Sequence, residues 1–295
     1  MDSANRSAPS HDHHDHDHGL AHDLDALIAQ RRRALRWLGV GAVTPIALWG
    51  CGGGGSDSTS TTTTTGTTGT TGTTTTTTTT SCAVIPEETA GPYPGDGSNS
   101  NSSGVVNALA LSGIVRSDIR SSIAGASGTA AGVPMTVKLK LVGTASGCAS
   151  LAGYAVYLWH CTRDGLYSLY SSGVTNQNYL RGVQAADSDG VVTFTTIFPG
   201  CYDGRMPHNH FEVFRSVDVA TSASGKIKTS QLGFPVATLN QAYATAGYES
   251  SVLNLTRISY ATDNVFSDGT SLQIATMTGD AVNGYVATLQ VGVAA

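Results

Sequence analysis

Two histidines in the second half of the chain stand two positions apart, at His208 and His210. Side chains two apart on a β-strand point to the same face, so the two imidazoles could bind one metal ion. Tyr202 lies six positions before His208, across a Pro/Gly-type turn. An isolated His-x-His spacing is a weak signal, and the same residues could be surface histidines and a turn aromatic. The spacing alone therefore leaves a metal site and a structural role both open.

Other kinds of chemistry find no support in the sequence. It contains no H-E-x-x-H, no C-x-x-C, no P-loop and no G-x-S-x-G pattern, which argues against zinc-hydrolase and nucleotide chemistry. The net charge is −5, and only 13% of the residues are charged. A nucleic-acid-binding protein needs a basic surface, so nucleic acid is not an expected partner.

The elements that must position these residues are mainly β-strands. Segments with strand patterning are 133–142, 155–159, 191–198, 208–214 and 284–293. Turn signals occur at Asp187–Gly190 and at Pro199–Gly200. Helical patterning is sparse, and one short helix is expected over residues 238–246. Regularly spaced strands with Gly and Pro turns predict a β-sandwich or barrel.

The first 51 residues have the pattern of a bacterial export signal. A His-rich run precedes the basic segment Arg31–Arg33, and an apolar stretch from Trp37 to Trp49 follows. This stretch is shorter than the roughly 20 apolar residues that span a bilayer. The paired arginines indicate twin-arginine export, and Leu48-Trp49-Gly50-Cys51 resembles a lipobox in which Cys51 is acylated. We therefore expect a lipid-anchored protein of the periplasmic side or cell envelope; an uncleaved signal anchor or a soluble precursor is the alternative.

Residues 52–81 separate this signal from the folded part. Between Thr59 and Thr80, 18 of 22 residues are threonine. Such a segment has no apolar side chains to bury and is expected to be a disordered tether. Residues 82–295 are long enough for one well-buried domain. The membrane contact expected for this protein is limited to the anchor or export signal.

Residues 82–295 contain several motifs, which are, in chain order, Pro86–Tyr93, Tyr157–Ser168, Leu180–Gln184, Phe198–Tyr202, Gly204–Phe211 and Thr229–Leu232. Together these motifs resemble one protein family, the intradiol ring-cleavage dioxygenases, which include the catechol and protocatechuate dioxygenases. The resemblance implies a mainly β fold, a β-sandwich of the intradiol dioxygenase type with few short helices. It also implies cleavage of a catechol-type ring between its two hydroxyls with O2, giving a cis,cis-muconate-type diacid.

The resemblance further implies a non-haem Fe(III) cofactor. The implied metal ligands are Tyr167, Tyr202, His208 and His210. Phenolate oxygens suit this role, because Fe(III) is a hard cation that anionic oxygen ligands stabilise. A metal ion also makes deprotonation of a coordinated tyrosine accessible near neutral pH.

Three further residues have implied roles. Arg205 matches the family's active-site arginine, which would stabilise negative charge on the reacting substrate. Gln231 matches a glutamine beside the iron, and Tyr93 lies in a segment that flanks the substrate pocket. The short spacing between Tyr202 and His208 departs from the characterised catechol enzymes, so the particular catechol, protocatechuate or hydroxyquinol substrate is not specified, and neither is the oligomeric state.

Four cysteines in the folded part, an even number in an exported domain, suggest two disulfides. If Tyr167 and Tyr202 bind the same iron, the segments that carry Cys161 and Cys201 must approach each other. We therefore predict the pairs Cys161–Cys201 and Cys82–Cys148. The main competing pattern joins Cys148 to Cys161 and Cys82 to Cys201.

A second class of function is compatible with the same motifs. The chain could be a catalytically silent β-sandwich binding or surface module, in which the Tyr/His cluster is a relict or structural metal site. A site in which His208 and His210 alone bind copper or zinc is a third possibility. Fe(III) bound by tyrosinates would colour the protein red-brown, whereas a binding module or a zinc site would be colourless.

Overall fold

The computed structural model describes residues 82–295. The predicted export signal, residues 1–51, and the predicted tether, residues 52–81, lie outside the described residues. The strands are β1 (Asp96–Asn101), β2 (Gly104–Asn107), β3 (Pro134–Gly143), β4 (Ala149–Ser150), β5 (Ala155–Trp159), β6 (Arg181–Ala185), β7 (Val191–Ile197), β8 (His208–Phe214), β9 (Lys226–Gly233), β10 (Thr276–Asp280) and β11 (Gly284–Val293). The α-helices are α1 (Val236–Tyr243) and α2 (Glu249–Leu255). No helix among residues 82–295 is long and apolar enough to cross a membrane.

Two sheets build the body of the fold. One contains β10, β11, β3 and β4 in that order, with β7 also paired to β3. The other contains β6, β5, β8 and β9. Within these sheets β3 and β11 are parallel, and the other paired strands are antiparallel. A separate hairpin consists of β1 and β2. The fold is the predicted β-sandwich.

The main hydrophobic core lies between the two sheets. Leu139 and Phe194 from the first sheet and Leu158 and Phe211 from the second are fully buried in one cluster. Burying a side chain of this size stabilises the fold by about 1.5–3 kcal/mol. A second apolar cluster, which includes Tyr157 and Trp159, covers the opposite face of the four-stranded sheet. We call this opposite face the outer face.

Strand β8 is buried along its whole length. Its alternating sequence is typical of a half-buried strand, but all seven of its residues are buried. Phe211 and Val213 pack into the core between the sheets. His208 and His210, which alternate with them, therefore lie on the outer face. Loops that cover the outer face enclose these polar side chains, so the strand is buried on both sides.

The turn predicted at Asp187–Gly190 and the helix predicted over 238–246 are both present. A second α-helix was not predicted. Asp187 Oδ1 accepts hydrogen bonds from the backbone N–H groups of Asp189 and Val191 in the turn that leads into β7. The helix expected over 238–246 is α1, which begins at Val236. The additional helix is α2, whose only buried residue is Ser251. Its seven residues are fewer than the roughly 11–18 over which helical periodicity can be recognised, so periodicity could not indicate it.

One predicted disulfide forms and the other does not. Cys82 and Cys148 are joined, with their Cα atoms 5.7 Å apart. The predicted Cys161–Cys201 pair is wrong, because both residues are free and buried. Cys161 packs in the outer-face cluster, whereas Cys201 packs in the core between the sheets. The two segments come close, but their side chains point into different clusters, and a disulfide needs them to point toward each other.

Candidate metal centre

The candidate metal centre begins with two strand residues. His208 and His210 alternate with core residues on β8, and their Nε2 atoms lie 3.0 Å apart. The pairing of β8 with its neighbours places Trp159 of β5 and Gln231 of β9 opposite His210. Cross-strand neighbours share a face of the sheet, so the two histidines and Gln231 belong to one buried patch.

The rings of both histidines are held in place by their surroundings. His208 Nδ1 lies 2.6 Å from the carbonyl oxygen of Met206; a carbonyl only accepts, so Nδ1–H donates and the lone pair belongs to Nε2. The His210 ring stacks on Trp159 with a centroid distance of 4.9 Å and an interplanar angle of 3°. Gly91 also lies close to this ring: a Cβ atom at this residue would be 3.3 Å from His210 Cε1.

Two tyrosines from separate loops complete the cluster. Tyr202 Oη lies 3.4 Å from His208 Nε2. The Tyr167 ring is 5.9 Å from the Tyr202 ring and 6.2 Å from the His210 ring, between centroids. The turn before Tyr167 needs glycine at Gly165, because its φ is +83° and a Cβ would lie 3.0 Å from Tyr202 Cβ. The structure thus brings together all four residues that the sequence singled out as ligands.

Burial controls the protonation of this cluster. It lowers the pKa of His208 well below its usual value, and the Arg205 charge adds to this effect. The pKa of His210 is lowered for the same main reason, with His208 and Arg205 contributing. Burial, followed by the neighbouring Tyr202, raises the pKa of Tyr167. The surroundings favour neutral imidazoles, which are the form that binds metal ions.

The donor set fits a hard metal cation. The Tyr167 hydroxyl is buried and forms no hydrogen bond of normal geometry with the described residues, a situation that costs about 1–3 kcal/mol for a polar group. A cation next to this hydroxyl would remove the cost and favour the phenolate. No group of three or more His, Cys, Asp and Glu side chains among residues 82–295 could hold a metal ion. This cluster instead combines two imidazoles with two phenols.

Arg205 is buried beside the cluster and has an acidic partner. Its Nε donates to Asp263 Oδ2 at 3.0 Å, and its Nη2 donates to Gln231 Oε1 at 2.6 Å. Asp263 Oδ2 also accepts from the Met206 backbone N–H at 2.6 Å. Gln231 Nε2 donates to the Thr89 carbonyl at 3.0 Å. These bonds connect Arg205, Gln231 and the loop before His208 in one network.

Tyr93 and Tyr167 are tied together by a buried arginine. Their rings pack with centroids 5.0 Å apart. Arg181 Nη2 donates to the carbonyl oxygens of Tyr93 and Ser168 at 2.9 and 3.0 Å, and its Nη1 donates to the Pro94 carbonyl at 2.7 Å. Arg181 therefore fixes the backbone beside both tyrosines.

Sequence reasoning missed the contributions of Asp263 and Arg181. Arg181 lies in the segment Leu180–Gln184. This segment resembles the family, but the resemblance did not indicate what its arginine does. Asp263 lies in an irregular segment 58 positions after Arg205, and no local motif indicates this contact. Tyr93, Arg205 and Gln231 all contact the cluster or its immediate neighbours, as described above.

Comparison with known proteins agrees with this architecture. The family Dioxygenase_C, described as "Dioxygenase", matches residues 116–222, a span that contains Tyr167, Tyr202, Arg205, His208 and His210. No curated protein matches the chain.

Among solved structures, an intradiol ring-cleavage dioxygenase from Tetranychus urticae is 22% identical, with a TM-score of 0.54, over 72% of this chain and 95% of its own. A second dioxygenase crystal structure is also 22% identical, with a TM-score of 0.55, over 72% and 94% of the two chains. Catechol 1,2-dioxygenase from Pseudomonas arvilla C-1 is 19% identical, with a TM-score of 0.41, over 70% and 61%. The family match over residues 116–222 and the fold shared with the first two structures agree with the resemblance to intradiol ring-cleavage dioxygenases seen in the sequence.

Proposed function

We propose that this protein is a non-haem Fe(III)-dependent dioxygenase that cleaves a catechol-type ring between its two hydroxyls. Tyr167, Tyr202, His208 and His210 would hold the iron. The observation that carries the proposal is the convergence of these four buried or half-buried side chains, with the two histidine Nε2 atoms 3.0 Å apart. The reaction consumes one catechol and one O2 and gives a cis,cis-muconate-type diacid that contains both oxygen atoms.

The ligand types suit ferric iron in particular. Two phenolates would contribute two negative charges to the site, and anionic oxygen ligands favour a hard, highly charged cation. When bound, ferric iron supplies a Lewis acid that lowers the pKa of both catechol hydroxyls and allows the electron-rich ring to react with O2. The neutral histidines complete the ligand set without adding positive charge.

The chain's own polar residues would assist the reaction from one side. Arg205 stays protonated and would stabilise negative charge that develops on the substrate. Asp263 and Gln231 hold its guanidinium through the bonds at 3.0 and 2.6 Å. Gln231 also retains hydrogen-bonding capacity beside His210 and would orient the oxygens of the reacting molecule. The buried walls would limit access of water, which strengthens these electrostatic interactions.

The experiment that tests this proposal uses the full chain after reconstitution with ferric iron. A visible absorption band from tyrosinate-to-iron charge transfer is expected together with oxygen uptake on addition of catechol. A silent binding module would give no oxygen uptake, even if it bound iron. A site that bound zinc through the two histidines alone would be colourless, because it would lack the charge-transfer band. Absence of both the band and the uptake at full iron loading would reject the proposal.

We further propose that the enzyme acts in the cell envelope as a lipid-anchored protein. The support is the sequence pattern of residues 1–51, which lie outside the described residues. A single acyl chain binds membranes only marginally, so stable anchoring needs the several chains of a bacterial lipoprotein. The Cys51→Ala variant is expected to move to the soluble fraction. Equal distribution of the wild type and the variant between membrane and soluble fractions would contradict the anchor.

A further inference from the structure

A cavity of about 400 Å³ lies between the β1–β2 hairpin and the loops that carry the family tyrosines. This volume is within the range of roughly 300–1,000 Å³ typical of sites for small organic molecules. Its walls are formed mainly by Tyr93, Tyr170, Asn99, Ser100, Asn101 and Ser102. We call it the hairpin cavity.

Tyr93 connects the hairpin cavity with the candidate metal centre. Its ring packs on Tyr167 with centroids 5.0 Å apart, and it packs on Tyr170 with centroids 5.3 Å apart. Tyr167 belongs to the proposed ligand set, and Tyr170 lines the cavity. A substrate whose ring lies at the metal centre would therefore have the cavity within reach of a ring substituent that extends past Tyr93.

The asparagine side chains of the hairpin are held by hydrogen bonds but keep further hydrogen-bonding capacity. Asn99 Oδ1 accepts from Tyr170 Oη at 2.5 Å, and its Nδ2 donates to the Pro92 carbonyl. Asn101 Nδ2 donates to the Leu169 carbonyl at 2.8 Å, and its Oδ1 accepts from Ser103 N at 2.7 Å. Each amide has two N–H donors and two acceptor lone pairs, so each side chain keeps one further donor and one further acceptor.

Groups held in this way are preorganised for a ligand. Binding then costs less side-chain entropy than it would with mobile asparagines. Ser100 and Ser102, which are exposed on the same hairpin, add hydroxyls that can donate or accept. The combination of tyrosine rings with serine and asparagine side chains is also the composition that antibody binding sites use for adaptable polar contacts.

From these observations we propose that the hairpin cavity binds a neutral, hydroxyl-rich substituent, such as a glycosyl or polyol group, on a catechol-type substrate. This proposal rests on the proposed function, which identifies the ring as a catechol. What it adds is the kind of substituent that the ring carries. Paired donors and acceptors match the hydroxyls of such a group. The tyrosine rings would contact its C–H faces, and no Lys, Arg, Asp or Glu side chain belongs to the described lining.

The test measures binding to the full-length protein without added iron, so that no ligand reacts. Isothermal titration would compare catechol, 4-propylcatechol and a catechol with a glucosyloxy group at ring position 4. The glucosyl compound is expected to bind at least about tenfold more tightly than either of the others, which corresponds to about 1.4 kcal/mol. Equal affinities for the three compounds would overturn the proposal.

Three variants test whether the glucosyl group binds in the hairpin cavity. Ser100→Trp and Ser102→Trp each place a large ring in the cavity from an exposed position and should abolish the tenfold preference. Ser103→Trp is the matched control, because Ser103 lies in the same hairpin but lines a different cavity. It should keep the preference. Loss of the preference in all three variants, or in none, would contradict this location.

A parallel assay separates this inference from the proposed function. If the iron-loaded protein opens catechol but shows no preference for the glucosyl compound, the cavity proposal alone fails. If the preference is present but no ring opening occurs, the cavity proposal stands as a binding site and the dioxygenase proposal fails.

Discussion

The carboxylate of Asp263 accepts a hydrogen bond from the guanidinium of Arg205 at 3.0 Å, and both side chains are almost fully buried. Asp263 is satisfied on all sides, since its Oδ1 accepts from the backbone N–H groups of Val265 and Phe266 at 2.8 and 3.1 Å. The ion pair thus connects a loop between α2 and β10 to the residue that would stabilise charge on the substrate.

Removing this carboxylate should strongly destabilise the fold. Asp263→Ala removes the carboxylate that is hydrogen-bonded to the buried Arg205 guanidinium, and breaking a buried pair of this kind costs about 3–5 kcal/mol. The exposed pair of Asp118 and Arg120 provides the control, because Asp118→Ala should cost at most about 1 kcal/mol. Urea unfolding of both variants measures the difference. Equal losses of stability in Asp263→Ala and Asp118→Ala would show that the buried pair contributes no more than the exposed one.

The conservative variant at the same position tests positioning. Asp263→Asn keeps an acceptor for Arg205 but removes the charge that orients it. We expect kcat to fall by up to about 100-fold, the size of effect that misplaced catalytic groups can produce. Iron content should stay unchanged, because Asp263 does not belong to the ligand set. A variant that lost iron and activity in equal proportion would indicate a structural role only.

Iron binding should depend on the four proposed ligands. Tyr202→Phe and His208→Ala each remove one donor, and we expect the affinity for iron to fall by more than the roughly 10–100-fold associated with outer-shell residues. Metal analysis after gel filtration measures the loss. Tyr154→Phe is the control, because the Tyr154 hydroxyl accepts a hydrogen bond from Arg215 and Tyr154 does not belong to the cluster. Full iron content in both ligand variants would refute the assignment.

Glu88 should make stability depend on pH. Burial, and then the negative charge of Asp268, raise the pKa of Glu88 to about 7, from an unfolded value of 4.5. A raised carboxyl pKa means that the folded state holds the proton more tightly. The stabilisation of the folded state that Glu88 contributes is therefore fully present below pH 4.5 and is lost as the pH rises through about 7.

The matched variant isolates that effect. Glu88→Gln imitates the protonated acid at every pH, so its stability relative to the wild type should rise by roughly 1–2 kcal/mol between pH 4.5 and pH 8, after allowance for partial exposure. Urea unfolding at the two pH values measures this. A difference between the two proteins that does not change with pH would contradict the raised pKa.

The cysteines give a prediction that is independent of the metal. Cys148→Ala should lower the free energy of unfolding by about 2–4 kcal/mol, because the disulfide to Cys82 closes a loop with a sequence separation of 66. Iron content should not change. Peptide mapping without reduction should find this disulfide and free thiols at Cys161 and Cys201. A peptide that joins Cys161 to Cys201 would contradict the structure.

Local patterns in the sequence predicted the parts of the site that lie on regular elements. The alternation in β8 indicated that His208 and His210 share a face, and the structure places both on the outer face of the four-stranded sheet. The burial of this polar face could not be read from the alternation. Periodicity reports the direction of side chains and carries no information on which loops cover them.

Long-range contacts between loops were not predictable in the same way. The bond between Arg205 and Asp263 and the bonds of Arg181 to Tyr93 and Ser168 depend on how irregular segments fold back over the sheet. The cysteine error has a similar cause: the approach of two segments was predicted correctly, but the direction of each thiol depends on single-residue offsets.

The fate of the two oxygen atoms is the sharpest test of the proposed ring cleavage. The iron-loaded full chain would react with catechol under ¹⁸O2, and mass spectrometry would locate the label in the product. The proposed function predicts a cis,cis-muconate-type diacid that carries one ¹⁸O atom in each carboxyl group. A product opened beside the hydroxyls, a product without label, or no product from fully iron-loaded protein would contradict it.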